Sequence, residues 1–501
     1  MTDAQLPKPL FLGVDVGTSA IKALLVDADG DVEGSASAPL ELSTPKPGWA
    51  EQDPAAWWRA SVTAIQAVLR GDASIAQRVA SVGLSGQMHS SVFLEADGRV
   101  IRPALLWCDA RTAAECREIT ERVGGEQVLR DTVRNAAFEG FTLPKILWLR
   151  NHEPQAFARL AKVMLAKDYV RYRLTGEMAT EPSDASGTLL FDPATLTWSQ
   201  TMLRALHLAP SLLPDVGESA GILGRVTEEV ARATGLKAGT PVVGGGADNA
   251  CGAAGVGVVL PGAAVASWGT SGTVLAPIAE PRVDPQLRAH TFCHVHPNTW
   301  YAIGVVLTAG GAFAWYMDRV ARELAPEVRI EQLNAEAERV PRGAEGVLFL
   351  PYLQGDRTPH RDAAARAAFL GLSLAHERAH MTRAVLEGVC FALRDSLEIL
   401  RDLGITPSEL RLTGGGARSS FVRRLQAEIF GVPVCTVNRE EGPAYGAALL
   451  AAVGAGAFPD LPSATRATIE RASLEHGETS AQATYNSLYQ RYRAAFAASR
   501  L

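Results

Sequence analysis

The chain has 501 residues, 47% of them hydrophobic, so it can bury large cores and is too long for one ordinary domain. Its 48 basic and 54 acidic residues give a net charge of −6, and the scattered basic residues argue against nucleic acid as a partner. The six cysteines form no CxxC pair and the first residues carry no basic-then-apolar signal, so we expect a reduced, cytoplasmic compartment. Two long uncharged runs, residues 250–266 and 302–317, are interrupted by glycine and predict buried segments, not membrane spans.

The N-terminal region predicts an antiparallel meander. Residues 10–14 form a short apolar strand that runs into Asp15, and residues 21–26 and 32–42 follow as strands. A dinucleotide-binding fold opens with a strand and then a helix, so this beginning disfavours an NAD-dependent dehydrogenase. The first helix comes later, with Asp53 as its N-cap.

Residues 79–84 predict the next strand, which ends in the turn of residues 85–89. From about residue 109 to residue 212 the composition changes, with Arg, Glu and Trp interspersed, and we expect a helical insertion there. Towards the C-terminus the pattern predicts a long helix at about residues 377–403, a strand at 410–412 and an aromatic stripe from Tyr485 to Phe496 at helical spacing. That stripe favours packing over a binding role.

The tripeptide Gly-Thr-Ser occurs twice, at residues 17–19 and 269–271, each time between two apolar strands. Because the strand-turn-strand context repeats together with the tripeptide, the sequence predicts two related domains that each contribute one tight hairpin.

A glycine-rich run at residues 244–257 contains one carboxylate, Asp248. Asp248 is either the N-cap of a tightly packed helix or the general base of an ATP-dependent sugar kinase. Glycine-rich turns with Thr or Ser bind phosphate through backbone N–H groups and hydroxyls. None of the seven lysines follows a glycine, so a P-loop is excluded.

Other polar residues have two possible roles each. Asp15 can hold Mg²⁺ through water or stabilise its own hairpin as an Asx-turn. Gln87 and His89, together with Asp109 and Arg111, can bind sugar hydroxyls, although a single histidine is more often structural. The run Cys293, His294 and His296 has the spacing of metal ligands but lacks a second half of such a site.

Together these motifs resemble the FGGY family of carbohydrate kinases, members of the actin-like ATPase superfamily, over residues 10–455. Residues 13–19 and 268–272 resemble its two phosphate motifs, and residues 413–419 its adenosine motif. Residues 140–152 and 367–387 fit its two signatures. Residues 245–249 are similar to the segment that carries the catalytic aspartate, which corresponds to Asp248.

The resemblance implies an α/β fold of two actin-like ATPase (ribonuclease H-like) domains with a catalytic cleft between them. We expect an N-terminal domain at residues 9–257 with the sugar site and catalytic base, an ATP-binding C-terminal domain at 258–455, and a helical extension at 456–501. The implied cofactors are ATP and Mg²⁺, and the resemblance suggests a homodimer.

The site residues that the resemblance implies fall into four sets. The catalytic base is Asp248, and the metal residue, acting through water, is Asp15. The substrate-binding residues are Gln87, Met88, His89, Asp109, Arg111, Asp248 and Asn249. The nucleotide-binding residues are Gly17, Thr18, Ser19, Gly269, Thr270, Ser271, Gly310, Gly415, Gly416 and Ser419.

The turn at residues 86–89 is similar to that of family members that phosphorylate D-xylulose at its 5-hydroxyl, whereas glycerol-specific members have Arg-Glu in place of Met88 and His89. Cys108 departs from the asparagine that is more common at its position. The alternatives are another ketose or polyol substrate, such as ribulose or xylitol, and a non-catalytic actin-like protein that binds nucleotide.

Overall fold

The structure is a computed structural model that describes residues 8–325 and 328–498. The strands are β1 (Leu10–Val16), β2 (Ala20–Asp27), β3 (Val32–Pro39), β4 (Glu51–Gln52), β5 (Val79–Gly86), β6 (Ser91–Leu94), β7 (Ala104–Leu105), β8 (Lys162–Leu165), β9 (Ala179–Thr180), β10 (Phe191–Asp192), β11 (Thr197–Trp198), β12 (Asp215–Val216), β13 (Ile222–Arg225), β14 (Pro241–Val243), β15 (Gly246–Ala247), β16 (Ala263–Trp268), β17 (Gly272–Ile278), β18 (His290–Cys293), β19 (Trp300–Val306), β20 (Leu348–Leu350), β21 (Ala368–Leu370), β22 (Glu409–Gly414), β23 (Val434–Val437) and β24 (Arg471–Glu475).

The helices are α1 (Pro54–Leu69), α2 (Ala73–Arg78), α3 (Ala113–Val123), α4 (Glu126–Thr132), α5 (Thr142–His152), α6 (Pro154–Phe157), α7 (Ala166–Thr175), α8 (Pro182–Ala185), α9 (Gln200–Leu206), α10 (Glu228–Thr234), α11 (Asp248–Gly255), α12 (Gly310–Arg319), α13 (Arg329–Arg339), α14 (Arg378–Asp402), α15 (Ser420–Phe430), α16 (Pro443–Gly454), α17 (Leu461–Thr468) and α18 (Thr479–Ala498). The predicted cap of the first helix is confirmed, because the Asp53 side chain accepts a hydrogen bond from the Ala55 N–H.

Two sheets that share one arrangement of six strands form the core of the molecule, and the second carries one further strand, β18, antiparallel to β19. In the first, an antiparallel meander β1-β2-β3 is extended by parallel β5 and β14 and closed by antiparallel β13. In the second, the meander β16-β17-β19 is extended by parallel β22 and β23 and closed by antiparallel β24. The duplication predicted from the two Gly-Thr-Ser hairpins is therefore confirmed strand by strand.

Helix α16 packs against the first sheet, although in the sequence it lies between β23 and β24 of the second sheet. A Cβ on Gly13 of β1 would come within 2.0 Å of the Ala444 carbonyl oxygen, and one on Gly83 of β5 within 2.1 Å of the Ala447 carbonyl oxygen. These glycines let the helix backbone approach the strands closely. On its other side, a Cβ on Gly446 would lie 2.0 Å from the Cys251 carbonyl oxygen, so α16 also fixes the position of α11.

Two regional predictions need correction. The insertion after residue 109 is mainly helical, but its strand β8 pairs with β6 in a small separate sheet. The extension after residue 456, predicted to be helical, contributes β24 to the edge of the second sheet. The aromatic stripe is confirmed as packing, because Tyr485, Tyr489, Tyr492 and Phe496 are all buried in the second core. None of the helices in residues 8–325 and 328–498 combines the length and apolar content that a membrane crossing requires.

Candidate active site

Asp248 is the first residue of α11 and lies at the carboxyl end of the first sheet. The preceding residues form β15, in which Gly246 and Ala247 pair with Ser85 and Gly86 at the end of β5. Gly245 has φ +78°, a conformation that side chains with a Cβ rarely adopt. The N-cap interpretation of Asp248 is wrong by one residue, since Ala247 occupies that position and Asp248 lies in the first turn of the helix.

Asn249 holds one oxygen of the Asp248 carboxylate. The backbone N–H and the side-chain Nδ2 of Asn249 both donate to Oδ1, at 2.8 and 3.0 Å. Burial raises the pKa of Asp248 to about 7, the nearby charge of Asp15 adds to the shift, and the bonds from Asn249 and from the backbone of Met88 oppose it. A carboxylate with this pKa can exchange a proton near neutral pH.

Two cavities meet at Asp248. The larger, about 220 Å³, is lined on one side by Met88, His89 and Trp107 and on the other by second-sheet residues such as Phe292. The smaller, about 190 Å³, extends to Thr413 and to the start of α16 at Gly442 and Pro443. Both are lined by Asp248 and Asn249 from α11 and by Ser267 and Thr273 from the second sheet, so these residues form the junction between the cavities.

His89 is neutral and fixed in one orientation. Its backbone adopts φ +68°, and its Nδ1–H donates to the Gly187 carbonyl at 2.5 Å. Burial, with smaller contributions from the positive charges of Arg357 and Lys145, holds the pKa of His89 well below its usual value. The His89 carbonyl in turn accepts from Lys145 Nζ at 3.0 Å. A neutral ring that donates through Nδ1 has Nε2 as an acceptor for a hydroxyl proton.

The predicted nucleotide motifs of the second sheet come together around Trp268. The N–H of Gly310, at the start of α12, donates to the Gly269 carbonyl at 2.8 Å, and the N–H of Gly311 donates to the Thr270 carbonyl at 2.9 Å. A Cβ on Gly416 would lie 2.6 Å from the Trp268 ring. Ser419 caps α15 by accepting from the Val422 N–H. The hairpin, the start of α12 and the 414–416 turn therefore form one glycine-lined surface.

Comparison with known proteins identifies the family. Residues 10–255 match the N-terminal domain of the FGGY family of carbohydrate kinases, and residues 264–455 match its C-terminal domain. The chain belongs to the FGGY family of carbohydrate kinases. The FGGY kinase is 41% identical to the xylulose kinase of Escherichia coli (strain K12), over 89% of this chain and 90% of that relative.

Solved structures of the family superpose closely on the kinase. A xylulose kinase from Rhodospirillum rubrum has a TM-score of 0.91 at 32% identity, with 98% of each chain covered. A gluconate kinase from Lactobacillus acidophilus also has a TM-score of 0.91, at 29% identity, over 98% of this chain and 99% of that chain. The two-domain FGGY fold is thus established, whereas the fold alone does not distinguish between these sugar substrates.

Three residues predicted to bind sugar lie behind the cavity wall of the kinase. The Asp109 carboxylate accepts from the Ala50 N–H at 2.6 Å and from Arg111 Nη2 at 2.7 Å. Arg111 also pairs with Glu51 at 2.8 Å and stacks on Trp49 at 3.5 Å. Gln87 is buried and accepts from the hydroxyls of Thr18 and Ser90. These contacts favour a role in supporting the turn that carries Met88 and His89.

The first hairpin contacts the wall of the larger cavity through Thr18. The Thr18 hydroxyl accepts from Trp107 Nε1 at 3.0 Å, and the Thr18 carbonyl accepts from Gln52 Nε2 at 2.7 Å. Gly17 lies in the turn itself, where a Cβ would be 2.8 Å from the Ala20 carbonyl oxygen, and Ser19 is exposed. These contacts connect the first phosphate motif to the wall of the larger cavity.

The residues around Asp15 fit a hydrated divalent cation. Asp15 Oδ1 is buried and has no hydrogen-bond partner among the described residues. Burial raises the pKa of Asp15 to about 6, against the opposing effects of the Ser85 hydroxyl and the Lys22 ammonium. A cation near Asp15 and Asp248 would relieve both the desolvation and the mutual repulsion of the two carboxylates.

The metal alternative around residues 293–296 finds no support in the geometry. His294 Nε2 donates to the Val258 carbonyl at 3.2 Å, and His294 Nδ1 accepts from the Val295 N–H at 2.8 Å, so both ring nitrogens are occupied. In residues 8–325 and 328–498, no group of three or more His, Cys, Asp or Glu residues is arranged to hold a metal ion.

Sequence reasoning did not single out several residues of the C-terminal domain that line the larger cavity. These are Ser267, Thr273, His290, Phe292, Ile303, Val305 and Arg357. The larger cavity is therefore lined by residues of both domains. The sequence does contain a signal for Arg357. This arginine lies in the run Gly355-Asp356-Arg357-Thr358-Pro359, and a charged residue in a loop bounded by glycine and proline is a candidate binding residue.

Proposed function

We propose that the kinase transfers the γ-phosphoryl group of ATP to the 5-hydroxyl of D-xylulose, giving D-xylulose 5-phosphate and ADP. The observation that carries this proposal is the position of Asp248 at the junction of the two cavities. A sugar in the larger cavity would lie beside this carboxylate, and the phosphates of a nucleotide would meet it there, because Gly269 and Ser271 line the same cavity. Drug-sized ligands occupy pockets of roughly 300–1,000 Å³, so a cavity of about 220 Å³ suits a monosaccharide.

In this proposal Asp248 accepts the proton of the attacking hydroxyl. The bonds from Asn249 occupy Oδ1, so we assign the transfer to Oδ2. Phosphoryl transfer depends mainly on positioning and on neutralising charge, and an ordered carboxylate fits both requirements. The position of Asp248 in the first turn of α11 stabilises its negative charge in the resting state.

The nucleotide would lie along the glycine-lined surface formed by residues 269–271, 310 and 414–416. Backbone N–H groups and the hydroxyls of Thr270 and Ser271 are suitable partners for its phosphates. Asp15 would hold hydrated Mg²⁺, which supplies positive charge to the phosphate oxygens when bound. Closure of the two domains would exclude water as a competing acceptor.

A coupled ADP-release assay tests the substrate. The panel contains D-xylulose, ribulose, xylitol and gluconate, each at several concentrations with saturating ATP. We expect D-xylulose to have the highest kcat/KM. A higher value for another sugar would favour the alternative of a different ketose or polyol, and ATP binding without any sugar-stimulated turnover would favour the non-catalytic alternative. The domain boundaries at residues 257 and 455, the homodimer and the cytoplasmic location stay predictions.

A further inference from the structure

The guanidinium of Arg357 lies in the wall of the larger cavity without a carboxylate partner. Within residues 8–325 and 328–498 it forms no ion pair, and its Nε is buried without a hydrogen-bond acceptor. Its neighbours are aromatic, with the rings of Phe138 and Phe141 at 5.0 and 5.7 Å. The Arg357 side chain is half-buried, and the negative charge of Glu139 acts on it from beyond ion-pair distance. A partly desolvated cation without a hydrogen-bonded carboxylate can bind an acceptor that enters the cavity.

His290 stands beside Arg357 and offers the complementary group. Its Nδ1 lies 2.9 Å from Asn135 Oδ1. Because Asn135 Nδ2 donates to the carbonyls of Val133 and Thr291, Oδ1 is the acceptor end of this amide and His290 Nδ1 carries the hydrogen. His290 Nε2 is therefore an acceptor, and it is buried without a hydrogen-bond partner in the part of the chain that the structure describes. This part of the cavity thus contains a cation, Arg357, that can only donate hydrogen bonds, and an acceptor, His290 Nε2, that has no partner among the described residues.

The chemistry of the proposed substrate supplies a matching pair of groups. The cyclic form of a 2-ketopentose closes through its 5-hydroxyl, so a kinase that phosphorylates this hydroxyl must bind the open chain. The open chain has a free carbonyl at C2, which only accepts hydrogen bonds, flanked by hydroxyls that can donate. Arginine binds such an oxygen with charge-assisted hydrogen bonds, and a neutral histidine nitrogen accepts from a hydroxyl.

The cavity lining places Arg357 away from the reacting hydroxyl. Arg357 lines the larger cavity but not the smaller one and lies against the rings of Phe138 and Phe141, whereas Asp248 lies where the two cavities meet. The charge of Arg357 acts on His89 and His290, whose pKa values it helps to lower. An extended ketose with its 5-hydroxyl at Asp248 therefore directs its opposite, carbonyl-bearing end towards Arg357.

We propose that Arg357 is a specificity residue that binds the C2 carbonyl oxygen of an open-chain ketose, while His290 Nε2 accepts a hydrogen bond from an adjacent hydroxyl. This inference rests on the proposed phosphorylation of D-xylulose. It assigns the C-terminal domain a direct part in choosing the sugar, through His290 on β18 and through the loop between β20 and β21.

The test compares two substrates in wild type and in Arg357→Met. The substrates are D-xylulose and the 2-deoxypentitol that has the same configuration at its remaining carbons but lacks the C2 oxygen. Loss of a hydrogen bond from a charged donor should reduce kcat/KM for D-xylulose roughly 10- to 100-fold. The value for the 2-deoxypentitol should stay the same, because that compound has no oxygen for Arg357 to bind. Arg357→Lys, which keeps the charge, should recover part of the loss.

Arg361→Met is the matched control. Arg361 lies in the same loop and against the same ring of Phe138, at 5.6 Å, but pairs with Glu126 at 2.5 Å and does not line the cavity. Arg361→Met should leave the ratio of kcat/KM for D-xylulose to kcat/KM for the 2-deoxypentitol unchanged. Thermal unfolding separates the roles further, because the methionine side chain in Arg357→Met would keep apolar contact with Phe138 and Phe141 while the partly desolvated charge is removed, so this variant should change Tm little.

An equal loss on both substrates, or a fall in Tm that accounts for the lost activity, would overturn the assignment of Arg357. If wild type does not phosphorylate D-xylulose, the proposed function fails first and this inference falls with it. Wild-type activity on D-xylulose with an unchanged ratio in Arg357→Met overturns the inference alone.

Discussion

The Ser183 hydroxyl accepts a hydrogen bond from the Ala247 N–H at 2.9 Å, immediately before Asp248. The same hydroxyl donates to Glu181 Oε1 at 2.8 Å, and Glu181 belongs to a fully buried group of charges that includes Lys167 and Asp168. The start of α11 is thus attached to a rigid ionic cluster. This connection explains how a helix that begins in a run of glycines holds its carboxylate in place.

Ser183→Ala should therefore reduce turnover as well as stability. The substitution leaves the Ala247 N–H buried without an acceptor, which costs about 1–3 kcal/mol in the free energy of unfolding. Displacement of Asp248 should lower kcat by up to about a hundredfold. Ser199→Ala is the control, since Ser199 caps α9 through the Met202 N–H. It should lower Tm and leave kcat unchanged; an equal kcat loss in both variants would contradict a positioning role for Ser183.

Asp248→Asn should abolish most turnover while the protein still folds and binds ATP. Removal of a general base typically costs about 10²- to 10⁴-fold in rate. Because the neutral amide also removes the repulsion from Asp15, Tm should stay the same or rise. Steady-state kinetics, calorimetric titration with ATP and thermal unfolding measure the three quantities. Near-normal kcat in this variant would rule out Asp248 as the base.

The pH profile of kcat/KM should have an acidic limb with a midpoint near 7, because Asp248 must be ionised to accept a proton and its pKa is raised to about 7. Asn249→Ala removes the bond from Nδ2, which stabilises the charged form. The pKa of Asp248 should then rise further and the midpoint should move to higher pH. A midpoint that moves to lower pH, or does not move, would show that another group controls the limb.

Much of the fold could be predicted because both halves repeat the same local signal. The flanking apolar strands identify Gly17–Ser19 and Gly269–Ser271 as hairpins without any tertiary information. The packing of α16 on the first sheet could not be predicted in the same way. Gly13 and Gly83 indicate that some backbone approaches β1 and β5, but a glycine does not specify which helix does so.

Four of the residues predicted to bind the substrate line the larger cavity. They are Met88, His89, Asp248 and Asn249. Arg357 was missed because its position in the cavity depends on contacts between distant segments. Asp109 and Arg111 are polar and near a strand end, but the sequence does not reveal that they pair with each other and that Arg111 also contacts Glu51 and Trp49.

Substitutions at the adjacent glycines Gly415 and Gly416 should distinguish an effect on stability from an effect on nucleotide binding. A Cβ on Gly416 would lie 2.6 Å from the Trp268 ring. The nearest atom to a Cβ on Gly415 would be the Trp268 carbonyl oxygen, at 3.8 Å, which is an ordinary contact distance. Gly416→Ala should lower the free energy of unfolding by about 1–3 kcal/mol, the usual cost of overpacking. Gly415→Ala should leave Tm unchanged and raise the KM for ATP. An unchanged KM in Gly415→Ala would contradict its prediction as a nucleotide-binding residue.

Asp109→Asn distinguishes a supporting role from direct sugar binding. The Asp109 carboxylate accepts hydrogen bonds from the Ala50 N–H and from Arg111, so it already has partners within the protein. Loss of the carboxylate charge should lower the free energy of unfolding by about 1.5–3 kcal/mol, because charged hydrogen bonds of this kind are weakened. The KM for sugar should change little, since Asp109 does not line the larger cavity. Chemical denaturation and steady-state kinetics on the same preparation measure both effects. A large rise in the sugar KM with unchanged stability would instead support the original prediction that Asp109 contacts the substrate.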